Sequence, residues 1–222
     1  MDSPPQPFAN RTVAGIELAR AVQQRVPRVP GLVLGLPRGG VPVAHEIARV
    51  LARPLDVMPV RKIGMPGNSE YAIGAIAGKT VVHESNLSTC VSTEVFAKLV
   101  RMKRAELCRR ERMYRAGLPP LNLTGMEVLL VDDGLATGCT MLAAVREARR
   151  LNAELVLVAA PVASERAVEL VRAEADGAII LEISADLLSV GTWYDDFSQV
   201  EDSQVCDLLA RDRLAMKPAS YA

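Results

Sequence analysis

Five short apolar runs punctuate the chain: GLVLGL (31–36), LDVMPV (55–60), EVLLV (127–131), ELVLVAAPV (154–162) and GAIILEI (177–183). None alternates apolar with polar residues. A strand with one face in water has to alternate, so unbroken runs describe strands covered on both faces. Amphipathic stretches lie between them: Val43, Ile47, Val50 and Leu51 fall on one helical face, and Met141, Leu142, Val145 and Ala148 on another within 140–151. Repetition of strand, helix, strand predicts an α/β fold with a parallel sheet flanked by helices. Right-handed crossovers leave the ligand sites of such sheets at the carboxyl ends of the strands, so chemistry is expected in the loops that follow the runs.

Composition narrows the class. The 222 residues are 50% apolar, with 26 basic and 26 acidic side chains. One domain with an appendage is expected, and disorder, collagen and disulfide-stapled miniproteins are excluded. Zero formal charge speaks against coating duplex DNA or an anionic membrane. Cys90, Cys108, Cys139 and Cys206 form no C-x-x-C pair, and His45 and His83 share no metal-ligand spacing with them, against structural zinc or a disulfide framework. The start, MDSPPQPFAN, lacks a signal pattern, and the longest apolar run, 155–163, is too short for a bilayer span; a reducing cytoplasm is the expected address.

The strand–helix rhythm breaks between about 63 and 126, which reads as an insertion. It opens with IGMPGNSEYAIGAIAGKTVV (63–82), compatible with a loop and a small hairpin, and passes into a helical stretch over 91–116. That stretch holds Lys98, Arg101, Lys103, Arg104, Arg109, Arg110, Arg112 and Arg115 against Glu94, Glu106 and Glu111, a net charge of +5 that leaves the rest of the chain at −5. It is either a solvated helix with pairs such as Glu106–Arg110 and Glu111–Arg115, or a basic lid over an anionic ligand.

The most informative segment is VLLVDDGLATGCT (128–140): a buried strand, two adjacent carboxylates at its end, then a loop of small and hydroxyl residues opening a helix. Small residues admit an anion close to the backbone, a helix N-terminus directs unpaired N–H groups at it, and Thr137 and Thr140 add hydroxyls. Asp132 and Asp133 would repel a phosphate, so the ligand must also bring hydroxyls or a divalent cation. A ribose 5-phosphate meets both demands. The loop lacks the lysine of a P-loop ATPase.

VLLVDDGLATGCT resembles the phosphoribosyl pyrophosphate (PRPP) signature of the type I phosphoribosyltransferases. The resemblance implies that family's parallel sheet, with a helical insertion at about 63–126 and a small C-terminal hood at about 184–200 on a single domain spanning 1–222. It assigns the ribose hydroxyls to Asp132 and Asp133, which would also hold Mg2+, directly or through water, and the 5′-phosphate to Ala136, Thr137, Gly138, Cys139 and Thr140. Gly134 stands where an aliphatic residue is usual, which should loosen the turn. In LPRGG (36–40) the resemblance places pyrophosphate-binding N–H groups on Arg38, Gly39 and Gly40, behind a cis Pro37–Arg38 peptide. PVRKIG (59–64) adds Arg61 and Lys62 as pyrophosphate ligands at a strand end, with Lys62 catalytic beside Asp132 and Asp133. The insertion would be the flexible loop that closes over the reacting centre.

Near the C-terminus, LLSVGTWYDDFSQVED (187–202) gathers Trp193, Tyr194 and Phe197 beside Asp195 and Asp196. Trp193 and Asp195 could hold a ring by stacking and N–H acceptance, or the aromatic residues could plug the core. Leu188 stands where purine-salvage relatives stack an aromatic, and Ala136 where 6-oxopurine enzymes carry a base; both argue against hypoxanthine or guanine. The resemblance covers about 12–200 and is nearest to an uncharacterised branch of predicted phosphoribosyltransferases. It implies transfer of the phosphoribosyl group to a nitrogen acceptor, with PRPP, a small-molecule acceptor and a second copy in a dimer as partners, and neither membrane nor nucleic acid. The alternative is a PRPP-sensing regulator that binds nucleic acid or protein through the basic 91–116 helix.

Overall fold

A computed structural model describes residues 7–26, 30–83 and 91–215, with backbone alone for 68–71. In chain order the elements are α1 (Arg11–Arg25), β1 (Leu32–Gly35), α2 (Gly40–Leu51), β2 (Leu55–Val57), β3 (Val60–Met65), β4 (Asn68–Ala77), β5 (Thr80–His83), α3 (Thr93–Tyr114), β6 (Glu127–Val131), α4 (Cys139–Arg150), β7 (Leu155–Ser164), α5 (Glu165–Arg172), β8 (Gly177–Ser184), a short 3-10 helix (Val190–Trp193) and α6 (Asp202–Ala215). Cys90 and the proline-rich residues 1–6 lie outside the described residues. Cys108, Cys139 and Cys206 are free thiols.

Five strands pair in parallel in the order β2-β1-β6-β7-β8. The unbroken apolar runs follow from two covered faces. Val128 and Leu130 of β6 pack with Met141, Leu142 and Val145 of α4, while Leu129 and Val131 pack with Val22 of α1, Val43 and Ile47 of α2, and Leu209 of α6. Each such side chain stabilises the fold by roughly 1.5–3 kcal/mol relative to exposure.

LDVMPV does not form one strand. β2 stops at Val57, Pro59 brings no N–H donor to a ladder, and the chain restarts as β3 in a second sheet. That sheet is antiparallel, β3-β4-β5, so the 63–82 segment yields three strands rather than a loop and small hairpin. Ala75, Ala77 and Val82 join the core beneath α4, and Ile63, Ile73 and Ile76 pack on Leu107 of α3. The insertion is therefore a folded layer. It is bolted on by Glu147 of α4, 3% exposed, which accepts from the Lys79 and Thr80 N–H groups at the β4–β5 turn (3.3 and 3.2 Å) and from Thr80 Oγ1 (2.7 Å). Gly78 at that turn has φ +50°, and a Cβ there would collide with Glu147.

α3 runs within the predicted 91–116 stretch. The Glu106–Arg110 pair forms at 3.7 Å, but Glu111–Arg115 does not: Arg115 is buried and forks onto Asp56 at 3.0–3.1 Å. Arg110 also faces Asp202 of α6 (3.6 Å), which accepts from the buried Tyr114 hydroxyl. Lys98, Arg101, Arg104, Arg109 and Arg112 remain exposed. Among the described residues no helix is long and apolar enough to cross a membrane.

Candidate functional site

Two helices begin at the carboxyl edge of the parallel sheet without a capping side chain. α4 starts behind Gly138, whose φ of +78° suits glycine, and α2 starts behind Gly39. By contrast Asn10, Ser92 and Ser164 cap α1, α3 and α5 with side-chain oxygens. Both starts direct the positive end of the helix dipole toward the loops, but the first turn of α2 is closed by its own backbone, the Gly40 N–H donating to the Leu36 carbonyl (3.0 Å) and the Val41 N–H to the Arg38 carbonyl (3.1 Å), with Pro42 bringing no donor. Ala136 and Thr137 are exposed, Thr140 half-buried and Cys139 buried; Thr137 Oγ1 accepts from the Cys139 N–H at 3.4 Å, and the Ser164 hydroxyl donates to the Ala136 carbonyl at 2.7 Å.

The LPRGG turn lies against the acid pair. A Cβ on Gly39 would collide with Asp133 Oδ2, and one on Gly40 would come within 2.5 Å of the Val131 carbonyl and 2.8 Å of Asp132 Cα. Gly40 is needed because two backbones meet there, and Gly39 because the Asp133 carboxylate lies against it. The Pro37–Arg38 peptide is cis, as the resemblance implied. Arg38 faces Glu201 at 3.7 Å.

Burial and the neighbouring charge of Asp133 hold the Asp132 carboxyl well above the ordinary carboxylate value, and Arg11 offsets part of this. Asp132 Oδ1 accepts from the Asp133 N–H at 2.9 Å. Arg11 Nε donates to Asp133 Oδ2 at 2.8 Å, and the Tyr194 hydroxyl donates to the Asp133 carbonyl at 2.6 Å. Among the described residues no cluster of three or more His, Cys, Asp or Glu could hold a metal ion. The two acids suit a cation such as Mg2+, which keeps water and takes much of its shell from ligand phosphates and hydroxyls. The turn after them is not loosened by Gly134. A Cβ there would collide with Val190, and Leu135 is laddered to β7 through its N–H on Val162 (2.9 Å) and its carbonyl under the Ser164 N–H (2.9 Å).

Arg61 and Lys62 sit inside antiparallel β3, not at the carboxyl end of a parallel strand, and strand alternation separates them. Lys62 faces the phosphate-type loop, lining with Ala72, Gly74, residues 136–140 and Val190 a concavity of about 150 Å³. Arg61 turns to α3 and pairs with Glu106 at 3.1 Å, so the structure does not bring it to the loops. A larger cavity, about 390 Å³, lies at the other end of α4 around Lys79, Arg104 and Leu151, and contains none of the loop residues. Donor groups rather than size identify the smaller one.

The aromatic tail does not display a free plane. Trp193 packs, partly buried, on Phe8, Ala14 and Tyr194. The 8–9 segment is zipped to the tail by Phe8 N–H to Trp193 O (2.8 Å), Asp195 N–H to Phe8 O (2.9 Å) and Asp196 N–H to Ala9 O (3.0 Å). The Asp195 side chain is exposed, and Leu188 is 95% exposed. Of the two readings of the cluster, packing against the chain's own start accounts for Trp193. Arg11, Tyr194 and Val190 were not singled out as site residues by the motif; their part depends on residues about 60 to 120 positions away, which no local pattern announces.

A family model described as phosphoribosyl transferase domain matches residues 10–190. Two curated relatives from Mycobacterium tuberculosis, strains H37Rv and CDC 1551 / Oshkosh, carry provisional phosphoribosyl transferase names. Each is 39% identical over 210 residues, covering 92% of this chain and 46% of the relative. The chain thus spans about half the length of the curated relatives it matches. The crystal structure of TT1426 from Thermus thermophilus is 39% identical with a TM-score of 0.76, covering 93% of this chain and 99% of that one.

Proposed function

Because the chain belongs to the phosphoribosyl transferase domain family, we propose that it moves the 5-phosphoribosyl group of PRPP onto a nitrogen acceptor and releases pyrophosphate. The observation that carries this reading is the convergence on the single acid pair Asp132–Asp133 of the Arg38–Gly39 turn, which abuts Asp133, and the N-terminus of α4 behind Gly138. The turn suits the pyrophosphate and the α4 end the 5′-phosphate, and the carboxylates between them suit the ribose hydroxyls.

In the reaction the C1–oxygen bond to pyrophosphate breaks and a C1–nitrogen bond forms, with positive charge growing on the ribose. The chain's task is orientation and charge stabilisation. Asp132 and Asp133 fix the ring, residues 136–140 hold its 5′ end with Lys62 facing them across the concavity, and the Arg38–Gly39 backbone stabilises the departing pyrophosphate. Mg2+, held by Asp132 and Asp133 directly or through water, would supply charge neutralisation to the pyrophosphate. With Ala136 in the loop and Trp193 packed away, neither a general base nor a stacking residue is assigned, and the acceptor is placed no more finely than a nitrogen nucleophile. A cytoplasmic setting and a homodimer belong to the same reading.

The test is calorimetric titration of PRPP with Mg2+ into wild type and Asp132→Asn/Asp133→Asn, followed by an acceptor screen. Magnesium-dependent binding that disappears in the variant is expected; a wild type that does not bind PRPP overturns the transferase reading. The regulator reading draws on the exposed cations of α3, and salt-dependent RNA binding without turnover would favour it.

A further inference from the structure

Arg11 opens α1, 122 residues from Asp133, yet its guanidinium pairs with that carboxylate, and the two side chains are only 11% and 14% exposed. The head is held on three further sides. It donates to the Ser198 carbonyl at 2.8 Å, lies 3.8 Å from the centre of the Phe197 ring, and sits 5.9 Å from that of Tyr194. The chain leading into it is fixed by the 8–9 zipper described above and by Asn10, which caps α1 through the Val13 N–H at 3.0 Å. The same tail that holds Arg11 sends the Tyr194 hydroxyl to the Asp133 backbone carbonyl. Carboxylate and backbone of Asp133 are thus held by one assembly built from both ends of the chain.

Two physical needs of the site are met by this arrangement. A ligand bearing several phosphate charges is repelled by adjacent acids, and a little-exposed guanidinium on one of them removes a charge where water screens poorly. A carboxylate also has to present a chosen edge to a ribose hydroxyl. The Arg11 bond occupies Oδ2, on the side where Gly39 already abuts, and no protein N–H donor among the described residues is placed on Oδ1. We infer that Arg11 is a positioning residue: through Asp133 it fixes which carboxylate edge meets the ribose and offsets the acid pair's repulsion of a polyanionic ligand. This rests on the PRPP reading above.

The experiment is a double-mutant cycle read by Mg2+–PRPP calorimetry on the full chain, with thermal unfolding recorded beside it. Arg11→Gln should weaken binding about 10- to 100-fold, the loss expected for one charged hydrogen bond, beside a lowered Tm that follows from breaking a little-exposed ion pair. Arg11→Lys, which keeps the charge without the fork, should recover part of the loss. The deficit of Arg11→Gln should shrink as salt is raised, because its electrostatic part is screened. In an Asp133→Asn background, which keeps Asp132, the same change should add less than about threefold, since residues that act through one another are not additive. A merely structural Arg11 would add fully in that background and show no salt dependence, and either of these overturns the inference. Wild type that binds PRPP beside an Arg11→Gln variant that binds equally well overturns it alone; wild type that fails to bind PRPP removes it together with the transferase reading.

Discussion

Five helix N-termini in this protein fall into two sets. α1, α3 and α5 are closed by the side chains of Asn10, Ser92 and Ser164, whereas α2 and α4 begin behind glycines that offer no oxygen to their first N–H groups. A capping oxygen is worth about 1 kcal/mol to a helix, so an open end forgoes stability unless something else fills it. Both open ends lie at the carboxyl edge of the parallel sheet beside Asp132 and Asp133. The contrast teaches that beside the acid pair glycine, which brings no side chain, stands where the other helices carry a capping oxygen: at α2 the backbone closes the turn itself through the Leu36 and Arg38 carbonyls, and at α4 the Thr137 hydroxyl reaches the first N–H.

The sharpest way to break the contrast is to fill an open end. Gly39→Ala puts a methyl into Asp133 Oδ2, and PRPP affinity should fall by about 100-fold or more, some 2.7 kcal/mol, in the same calorimetric assay. Next comes Gly138→Ala. Its φ of +78° costs an L-residue about 1–2 kcal/mol, and the new methyl meets Ala167 at 3.1 Å, so a lower urea midpoint together with weaker PRPP binding is expected. Ser164→Ala should cost about 1 kcal/mol of stability and also release the Ala136 carbonyl, so a small loss of PRPP affinity accompanies it. Ser92→Ala removes an exposed cap that is not among the residues lining the concavity. About 0.5 kcal/mol should be lost, with the PRPP titration unmoved; a change in PRPP affinity there would dissolve the distinction between the two sets.

The far end of α4 gives a pH handle on the same helix. Burial alone would raise the Glu147 carboxyl, but hydrogen bonds from Arg150, Thr80 and the Lys79 N–H outweigh it and hold the group below its ordinary 4.5. The folded state therefore prefers the ionised form. The stability this contributes is full above pH 4.5 and is lost as pH falls through the lowered folded value. Acid unfolding followed by circular dichroism should show a shallower decline below pH 4.5 for Glu147→Gln than for wild type.

Much of the frame was legible in the sequence because it is local. Unbroken apolar runs located all five parallel strands, and the small residues after Asp133 located the open end of α4. What failed did so for identifiable reasons. LDVMPV looked continuous, but Pro59 is a break in hydrogen bonding rather than in hydropathy. Arg61 and Lys62 looked like a pair, but neighbouring residues of a strand point to opposite faces. Arg115 looked like a partner for Glu111, but a buried guanidinium took Asp56 from another element. Trp193 could be read as a platform or as a core plug, and the choice stayed open because the segment it packs on, around Phe8, is remote in the chain. Arg11 carried no motif at all; its meaning is set by Asp133, Phe197 and Ser198.

Lys62 and the 136–140 loop line one concavity, yet they belong to different sheets, and the chain changes from one to the other at Met58–Pro59. A ligand seated there would touch both and act as a removable cross-link between two layers that otherwise meet at α4 and its Glu147 bolt and through the bonds of α3 to Asp56 and Asp202. Binding energy then appears as mechanical coupling: local opening of β3 and β4 has to release the ligand first, so their amide hydrogens exchange more slowly by the factor that ligand binding adds to the closed state. The insertion would thereby register occupancy of a pocket to which it contributes only one wall.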